Sequence, residues 1–186
     1  MCDIGRFDFG WIEGEHRLST PLMRATSGTL EPATYRDVIA RVADRLSTAG
    51  TSGKGDVRFL VSAHASHEEL FLFRRLTEEL LGSDGAKTVA VSWRVTPKQQ
   101  PERTKFKVPA VDAPNVNGAR LFGFVPGAVG DAQGAADVSA LRSAVEAGSV
   151  AALYVFDPGP DGSIGDTSWI VAARQAGKLP LLVVQG

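Results

Sequence analysis

The clearest hydrophobic pattern of the chain lies in residues 56–82, where a short apolar run leads through a tight turn into an amphipathic segment. Residues 57–61 are apolar apart from Arg58, which predicts a strand that is buried on both faces, as in a parallel sheet. Residues 62–65 form the predicted turn. In open α/β sheets ligands bind beside turns of this kind, so Ser62 and Ser66 are the candidate cofactor-binding residues.

A helix is predicted to follow this turn. Ser66 and Glu69 have the spacing of a capping box, and Gly82 is a suitable C-terminal residue. The apolar positions between them recur at the intervals of one helix face. They are Leu70, Phe71, Phe73, Leu76, Leu80 and Leu81.

The rest of the chain continues this alternation of apolar runs and amphipathic segments. Thr34 caps a predicted helix over residues 35–49 that Gly50 ends, and Asn117 caps a short helix over 118–122. Two more helices are predicted over 138–147 and from Asp166 or Thr167 to 176. The further predicted strands are 88–93, 150–156 and 179–185.

The predicted fold is α/β, with a Rossmann-like, mostly parallel sheet flanked by helices. Residues 1–31 form an irregular N-terminal arm, and residues 32–186 form the α/β domain. A long central loop over 94–136 interrupts the domain, and its first part is basic and rich in proline. Loops of this length are usually functional, disordered or covered by a partner, and for residues 94–120 we expect contact with a neighbouring domain or subunit.

Composition and charge exclude several classes of protein. Apolar residues make up 44% of the 186 residues and the formal net charge is −1, so there is no basic footprint for nucleic acid. No apolar run approaches the ~20 residues that span a bilayer, which argues against direct membrane insertion. The start of the chain lacks the pattern of a secretory signal. Cys2 is the single cysteine, so no disulfide framework is possible.

The residues around the turn match no common catalytic or metal motif. His64 and His67 lack the spacing of a zinc helix, and the turn contains no glycine for a phosphate loop. The serines lack the nucleophile elbow of a hydrolase. Asp157 and Asp161 follow a buried strand, where α/β sites lie, but their proline and glycine neighbours favour turns. These patterns alone indicate a soluble α/β domain, and a stand-alone small-molecule-binding module stays open.

Two segments near the start carry a more specific signal. CDIGRF at residues 2–7 and RLSTPLMR at residues 17–24 resemble the C-x-x-G-R-F … D-R-L-T-x-P-L-x-R pattern of the molybdopterin-oxidoreductase superfamily. Within it the chain is most similar to the large iron–sulfur subunit of NADH:quinone oxidoreductase, respiratory complex I. APNVNGAR at 113–120 and LYVFDP at 153–158 follow in the order found in that subunit.

The resemblance implies that the chain is a fragment of such a subunit. Cys2 matches the fourth cysteine of a [4Fe–4S] motif whose other three ligands lie upstream, so the clusters belong to the parent subunit and no cofactor is expected here. Active pterin enzymes commonly have a lysine where this chain has Ile4, which cannot hydrogen-bond a pterin. The resemblance therefore implies a scaffold that has lost pterin catalysis, within a complex that transfers electrons from NADH to quinone.

The same resemblance implies a place in the cell and a set of partners. The partners are other subunits of the peripheral arm of complex I, on the cytoplasmic side of the plasma membrane. Whether the fragment itself is an enzyme stays open, although its parent complex is an oxidoreductase. The alternative within the superfamily is a fragment of an active molybdopterin oxidoreductase such as a formate dehydrogenase.

Overall fold

The computed structural model describes residues 14–15, 17–51, 56–103, 105–126, 138–159 and 164–186. In chain order its strands and helices are β1 (Leu22–Arg24), β2 (Leu30–Pro32), α1 (Tyr35–Thr51), β3 (Asp56–Ser62), α2 (His67–Leu81), β4 (Val89–Ser92), α3 (Val116–Leu121), α4 (Ser139–Glu146), β5 (Val150–Phe156), α5 (Ser168–Gln175) and β6 (Leu181–Gln185). A 3₁₀ turn, Gly85–Thr88, precedes β4.

The centre of the fold is a four-stranded sheet in the order β4-β3-β5-β6. Every neighbouring pair in it is parallel, with Val61 opposite Val91 on one side and opposite Phe156 on the other. The prediction of an α/β fold with a parallel sheet is therefore confirmed. The strand order reverses between β3 and β5, as in doubly wound sheets.

The two faces of the sheet bury different clusters, because neighbouring residues of a strand point to opposite faces. On one face Phe59 and Tyr154 pack against Phe73 of α2. On the other face Leu60 of β3 belongs to a buried cluster with residues of β5, α4 and α5. The other fully or nearly fully buried members of that cluster include Leu141, Val145, Leu153, Val155, Trp169, Ile170 and Ala173.

The chain divides into two compact units, Met1–Asp44 and Arg45–Gly186. In the first unit, β1 and β2 pair as an antiparallel hairpin in which Met23 lies opposite Glu31. The N-terminal arm, predicted to be irregular over residues 1–31, thus contains a paired strand. Thr34 caps α1 as predicted, since its Oγ1 accepts a hydrogen bond of 3.2 Å from the Asp37 N–H.

The residues that end α1 and cap α3 differ from the prediction. Helix α1 continues past Gly50 to Thr51, so this glycine does not end it. Helix α3 begins at Val116 with Asn115 in the capping position, two residues before the predicted cap Asn117. In the second case a tertiary contact of Asn115, described below, decides which asparagine starts the helix.

The first part of the predicted long loop is a β-hairpin. Val95 and Val111 form an antiparallel bridge, and the Thr96 N–H donates to the Ala110 carbonyl at 2.8 Å. Further along, the Gln100 amide bonds both backbone groups of Val108, with both distances 3.0 Å. We call residues 94–112 the hairpin. The sequence pattern did not predict the hairpin, because the segment is rich in proline and proline cannot donate a hydrogen bond to a regular ladder.

Candidate functional site

The candidate site lies where the strand order reverses, at the carboxyl ends of β3 and its neighbours. Ligands of open α/β sheets bind in the crevice at such a point. The β3–α2 turn, the hairpin that follows β4 and the start of α3 meet here. The polar groups of these elements differ in whether they are available to a ligand.

Ser62 is not available. It is fully buried, and its Oγ accepts a hydrogen bond of 3.1 Å from the His64 N–H. The same Oγ lies 3.3 Å from Nδ1 of His64. Ser62 therefore closes the turn on itself, and it has no geometry that would make it a nucleophile toward a bound molecule.

The capping box predicted at the start of α2 is present, and it uses polar groups at the N-terminus of the helix. The Glu69 N–H donates to Ser66 Oγ at 3.2 Å, and the Glu69 carboxylate accepts from the Ser66 N–H at 2.7 Å. A helix N-terminus attracts anions through its free N–H groups and its dipole. Here the chain's own carboxylate fills that place, and Glu68 adds a second negative charge in the first turn.

A pocket of about 670 Å³ opens beside the turn. His64 contributes the exposed side chain of the turn, and the hairpin contributes Lys98 and Asp112. Helix α3 contributes Asn117. The remaining lining residues are apolar or small; they are Pro109, Val111, Ala113, Pro114 and Val116.

An ion pair between Lys98 and Asp112 crosses the base of the hairpin at this pocket. Hydrogen bonds from Lys98 and from Thr96 hold the pKa of the Asp112 carboxyl below its ordinary value of 3.8. The positive charges of Lys98 and Arg94 act in the same direction. The carboxylate is therefore fully charged at neutral pH.

We expect Lys98→Met to raise the pKa of Asp112 toward 3.8, with Thr96 keeping part of the shift. Folding lowers this pKa. The ion pair therefore stabilises the hairpin at pH values above the pKa of Asp112 in the unfolded chain, and this contribution is lost as the pH falls through its pKa in the folded chain. An NMR titration of the Asp112 carboxyl carbon measures this. An unchanged midpoint in Lys98→Met would contradict the pairing, and Lys87→Met is the control, because Lys87 pairs with Asp84 instead.

Asn115 ties this part of the pocket wall to the β3–α2 turn. Its side chain is buried, and its Nδ2 donates to the Ala65 carbonyl at 2.7 Å. Its backbone N–H donates to the Ala63 carbonyl at 3.0 Å. A Cβ at Gly118 would lie 2.2 Å from the Asn115 Oδ1, so the contact requires glycine there. Sequence reasoning missed Asn115 and Asp112, because their partners lie far away along the chain.

Arg120 is the one strongly buried cation that the described residues place near the pocket. It retains 9% of its exposure, and its Nη1 donates to Asn117 Oδ1 at 3.3 Å. Within the described part of the chain its Nε has no hydrogen-bond partner. Because Asn117 lines the pocket, this positive charge contacts the pocket lining.

The other predicted site residues are not brought together. His67 points away to the ring of Phe122, at a centroid distance of 6.0 Å, while His64 faces the pocket. Asp157 takes a left-handed conformation (φ 49°) and its N–H donates to the Gln185 carbonyl. Cys2, Ile4, His16 and Asp161 lie outside the described residues. No group of three or more metal-ligating side chains occurs in the described ranges.

Comparison with known proteins gives one informative similarity. Over 84 residues, 45% of this chain, the sequence is 27% identical to the G subunit of the NADH-quinone oxidoreductase of Streptomyces coelicolor. The match covers 10% of the length of that protein. No protein-family model matches the chain.

Proposed function

We propose that the chain is part of the peripheral-arm iron–sulfur subunit of an NADH:quinone oxidoreductase. The observation that carries the proposal is the similarity to the Streptomyces coelicolor protein, because that match extends over 84 residues and so reaches beyond the two short N-terminal motifs. In this role the chain takes part in respiratory electron transfer as a scaffold. Catalysis on a pterin is not among its activities.

The geometry of the turn supports a non-catalytic role. A phosphate at the start of α2 would meet the Glu69 carboxylate, which accepts from the Ser66 N–H there, and the negative charge of Glu68. Ser62 is buried, and its Oγ accepts a hydrogen bond from the His64 N–H of the same turn. A scaffold keeps such a turn for packing, which agrees with the buried Ala63 and Ala65 on either side of His64.

The donor set of this chain does not fit an iron–sulfur cluster. A [4Fe–4S] cluster is held by four cysteine thiolates, and the sequence contains one, Cys2. We therefore place the clusters of the parent subunit on other parts of it and derive no electron-transfer step through this chain. Iron analysis of the purified chain tests this point, and a stoichiometric cluster would overturn it.

In the proposed complex the partners are the other subunits of the peripheral arm. No helix among the described residues has the length and hydropathy to cross a bilayer. The place that we propose for the chain is the cytoplasmic side of the plasma membrane, where the membrane-bound subunits of the complex hold it.

The proposal is tested by affinity purification of the epitope-tagged chain from detergent-solubilised membranes of the organism that encodes it. We expect the NADH-binding flavoprotein subunit and the iron–sulfur subunits to co-purify in near-equal amounts, together with NADH-oxidising activity. Cells carrying the untagged chain provide the control. If mass spectrometry finds none of these subunits above that control, the proposed function is wrong.

The pocket supports a second candidate function, a small-molecule-binding module. The pocket volume of about 670 Å³ lies within the range of small-molecule sites. The pocket is lined by a histidine, an ion pair and an amide. A thermal-shift screen with nucleotides and with molybdopterin guanine dinucleotide separates the two functions. Tight binding of the pterin dinucleotide would favour the active-oxidoreductase alternative over a scaffold.

A further inference from the structure

The outer end of the hairpin combines exposed positive charge with an exposed aromatic ring. We call the described residues 99–103 and 105–107 the tip. Phe106 retains 68% of its exposure, and Lys105 and Lys107 flank it in the sequence and are exposed too. Arg103 adds a third exposed cation. An exposed aromatic ring beside an arginine is a combination that protein interfaces favour.

Among the described residues, no carboxylate forms an ion pair with the cations of the tip. In the described part of the chain, Arg103, Lys105 and Lys107 form no ion pair, whereas Lys98 at the base pairs with Asp112. Glu102 is the single carboxylate of the tip. The tip thus presents a positively charged surface to its surroundings.

Hydrogen bonds join the two sides of the hairpin where the tip begins and ends. The Gln100 amide donates to the Val108 carbonyl and accepts from the Val108 N–H, which closes the tip as a backbone bridge would. Behind it, the Asp112 N–H donates to the Arg94 carbonyl at 2.9 Å. A segment ordered before binding loses less conformational entropy on association than a mobile loop does.

We propose that the tip is a docking arm for another protein, whose surface offers carboxylates around an apolar pocket that receives Phe106. Aromatic residues and arginine are enriched at the centres of protein interfaces, and complementary charge speeds and orients the encounter. The inference rests on the proposed function in one respect, because it takes the partner to be a subunit of the same peripheral arm.

The charge of the tip favours a protein over the other anionic partners. Polybasic segments that bind anionic lipid contain about four to eight lysines and arginines, and the tip has three with an opposing Glu102. Nucleic-acid-binding domains are basic as a whole, and this chain has a net charge of −1. A small cationic rim around one aromatic side chain is the arrangement of a protein contact.

The experiment repeats the affinity purification with variants of the full chain. The two tip variants are Phe106→Ala and the double change Lys105→Glu/Lys107→Glu. The matched controls are Leu121→Ala, which removes a side chain that is 64% exposed elsewhere, and Arg45→Glu, which reverses an exposed cation on α1. The readout is the molar ratio of co-purified peripheral-arm subunits to the tagged chain at several salt concentrations.

We expect each tip variant to lower that ratio roughly tenfold or more, as loss of an interface centre does, while the controls stay within about twofold of the wild type. The wild-type ratio should fall as salt is raised. If the tip variants capture as much as the wild type, or if the controls fall equally, the docking arm is wrong although the proposed function stands.

Two other outcomes are distinguishable from these. If the wild-type chain captures no peripheral-arm subunit, the proposed function fails, and the docking arm falls with it. Phosphatidylglycerol vesicles provide the last comparison. Vesicle binding that depends on Lys105 and Lys107, without capture of any subunit, would overturn the protein partner in favour of a lipid surface.

Discussion

Gly85→Ala is expected to destabilise the domain by about 3 kcal/mol or more, since overpacking of a tight contact costs ~1–3 kcal/mol and exceeds this where backbone must move. A Cβ at Gly85 would lie 2.1 Å from the Thr77 carbonyl oxygen and 2.4 Å from its carbon. Both are backbone atoms of α2 and cannot rotate away. The Thr77 side chain is itself fully buried, so α2 has no room to shift there.

Urea unfolding followed by circular dichroism measures this change as a lower midpoint with an unchanged slope. Gly50→Ala is the matched control, because it makes the same chemical change inside a helix. A Cβ at Gly50 would lie at an ordinary 3.5 Å from Leu81 Cδ2, and alanine is favoured over glycine in a helix by about 0.5–1 kcal/mol. We expect Gly50→Ala to be neutral or stabilising. Equal midpoints for the two variants would contradict the close approach at Gly85.

The core of the fold could be predicted because its information is local. The run at residues 57–61 is apolar on both faces, and Ser66 and Glu69 stand three residues apart, so strand, turn and helix can each be read from a short window. Strand β5 was predicted with the bounds that the structure shows, Val150–Phe156, for the same reason. A parallel sheet then follows from the helices between the strands.

The candidate site could not be predicted in the same way, because its contacts join distant positions. Asn115 reaches Ala65 across 50 residues, and this bond makes Asn115 the start of α3. Local propensity treats Asn115 and Asn117 alike and offers no way to choose between them. The pairing of Gln100 with Val108 uses a side chain in place of a backbone ladder, which no strand periodicity reveals.

The hairpin gives these long-range contacts a shared consequence. Its base forms one wall of the pocket through Lys98 and Asp112, and its tip presents Phe106 to solvent. If the tip binds a partner, the pocket wall is held at both ends, by the ion pair and by the interface.

Phe59→Ala is expected to lower the free energy of unfolding by about 3–5 kcal/mol, as large-to-small changes at buried aromatic positions do. Phe59 is fully buried in the central strand, with its ring centroid 6.3 Å from Phe73 and 6.0 Å from Tyr154. Removing the ring leaves a cavity between the sheet and α2. The free energy of unfolding of a domain is about 5–15 kcal/mol in total, so this variant loses much of its stability.

Phe106→Ala provides the matched control for this change, since it deletes the same ring from a position that is 68% exposed. We expect it to change the free energy of unfolding by about 0.5 kcal/mol or less, as surface substitutions usually do. Urea unfolding of both variants checks the pair, and equal losses would contradict the burial difference. The comparison also bears on the docking arm. When Phe106→Ala is as stable as the wild type and still fails to capture the peripheral-arm subunits, the loss belongs to the interface, because the fold that presents the tip is intact.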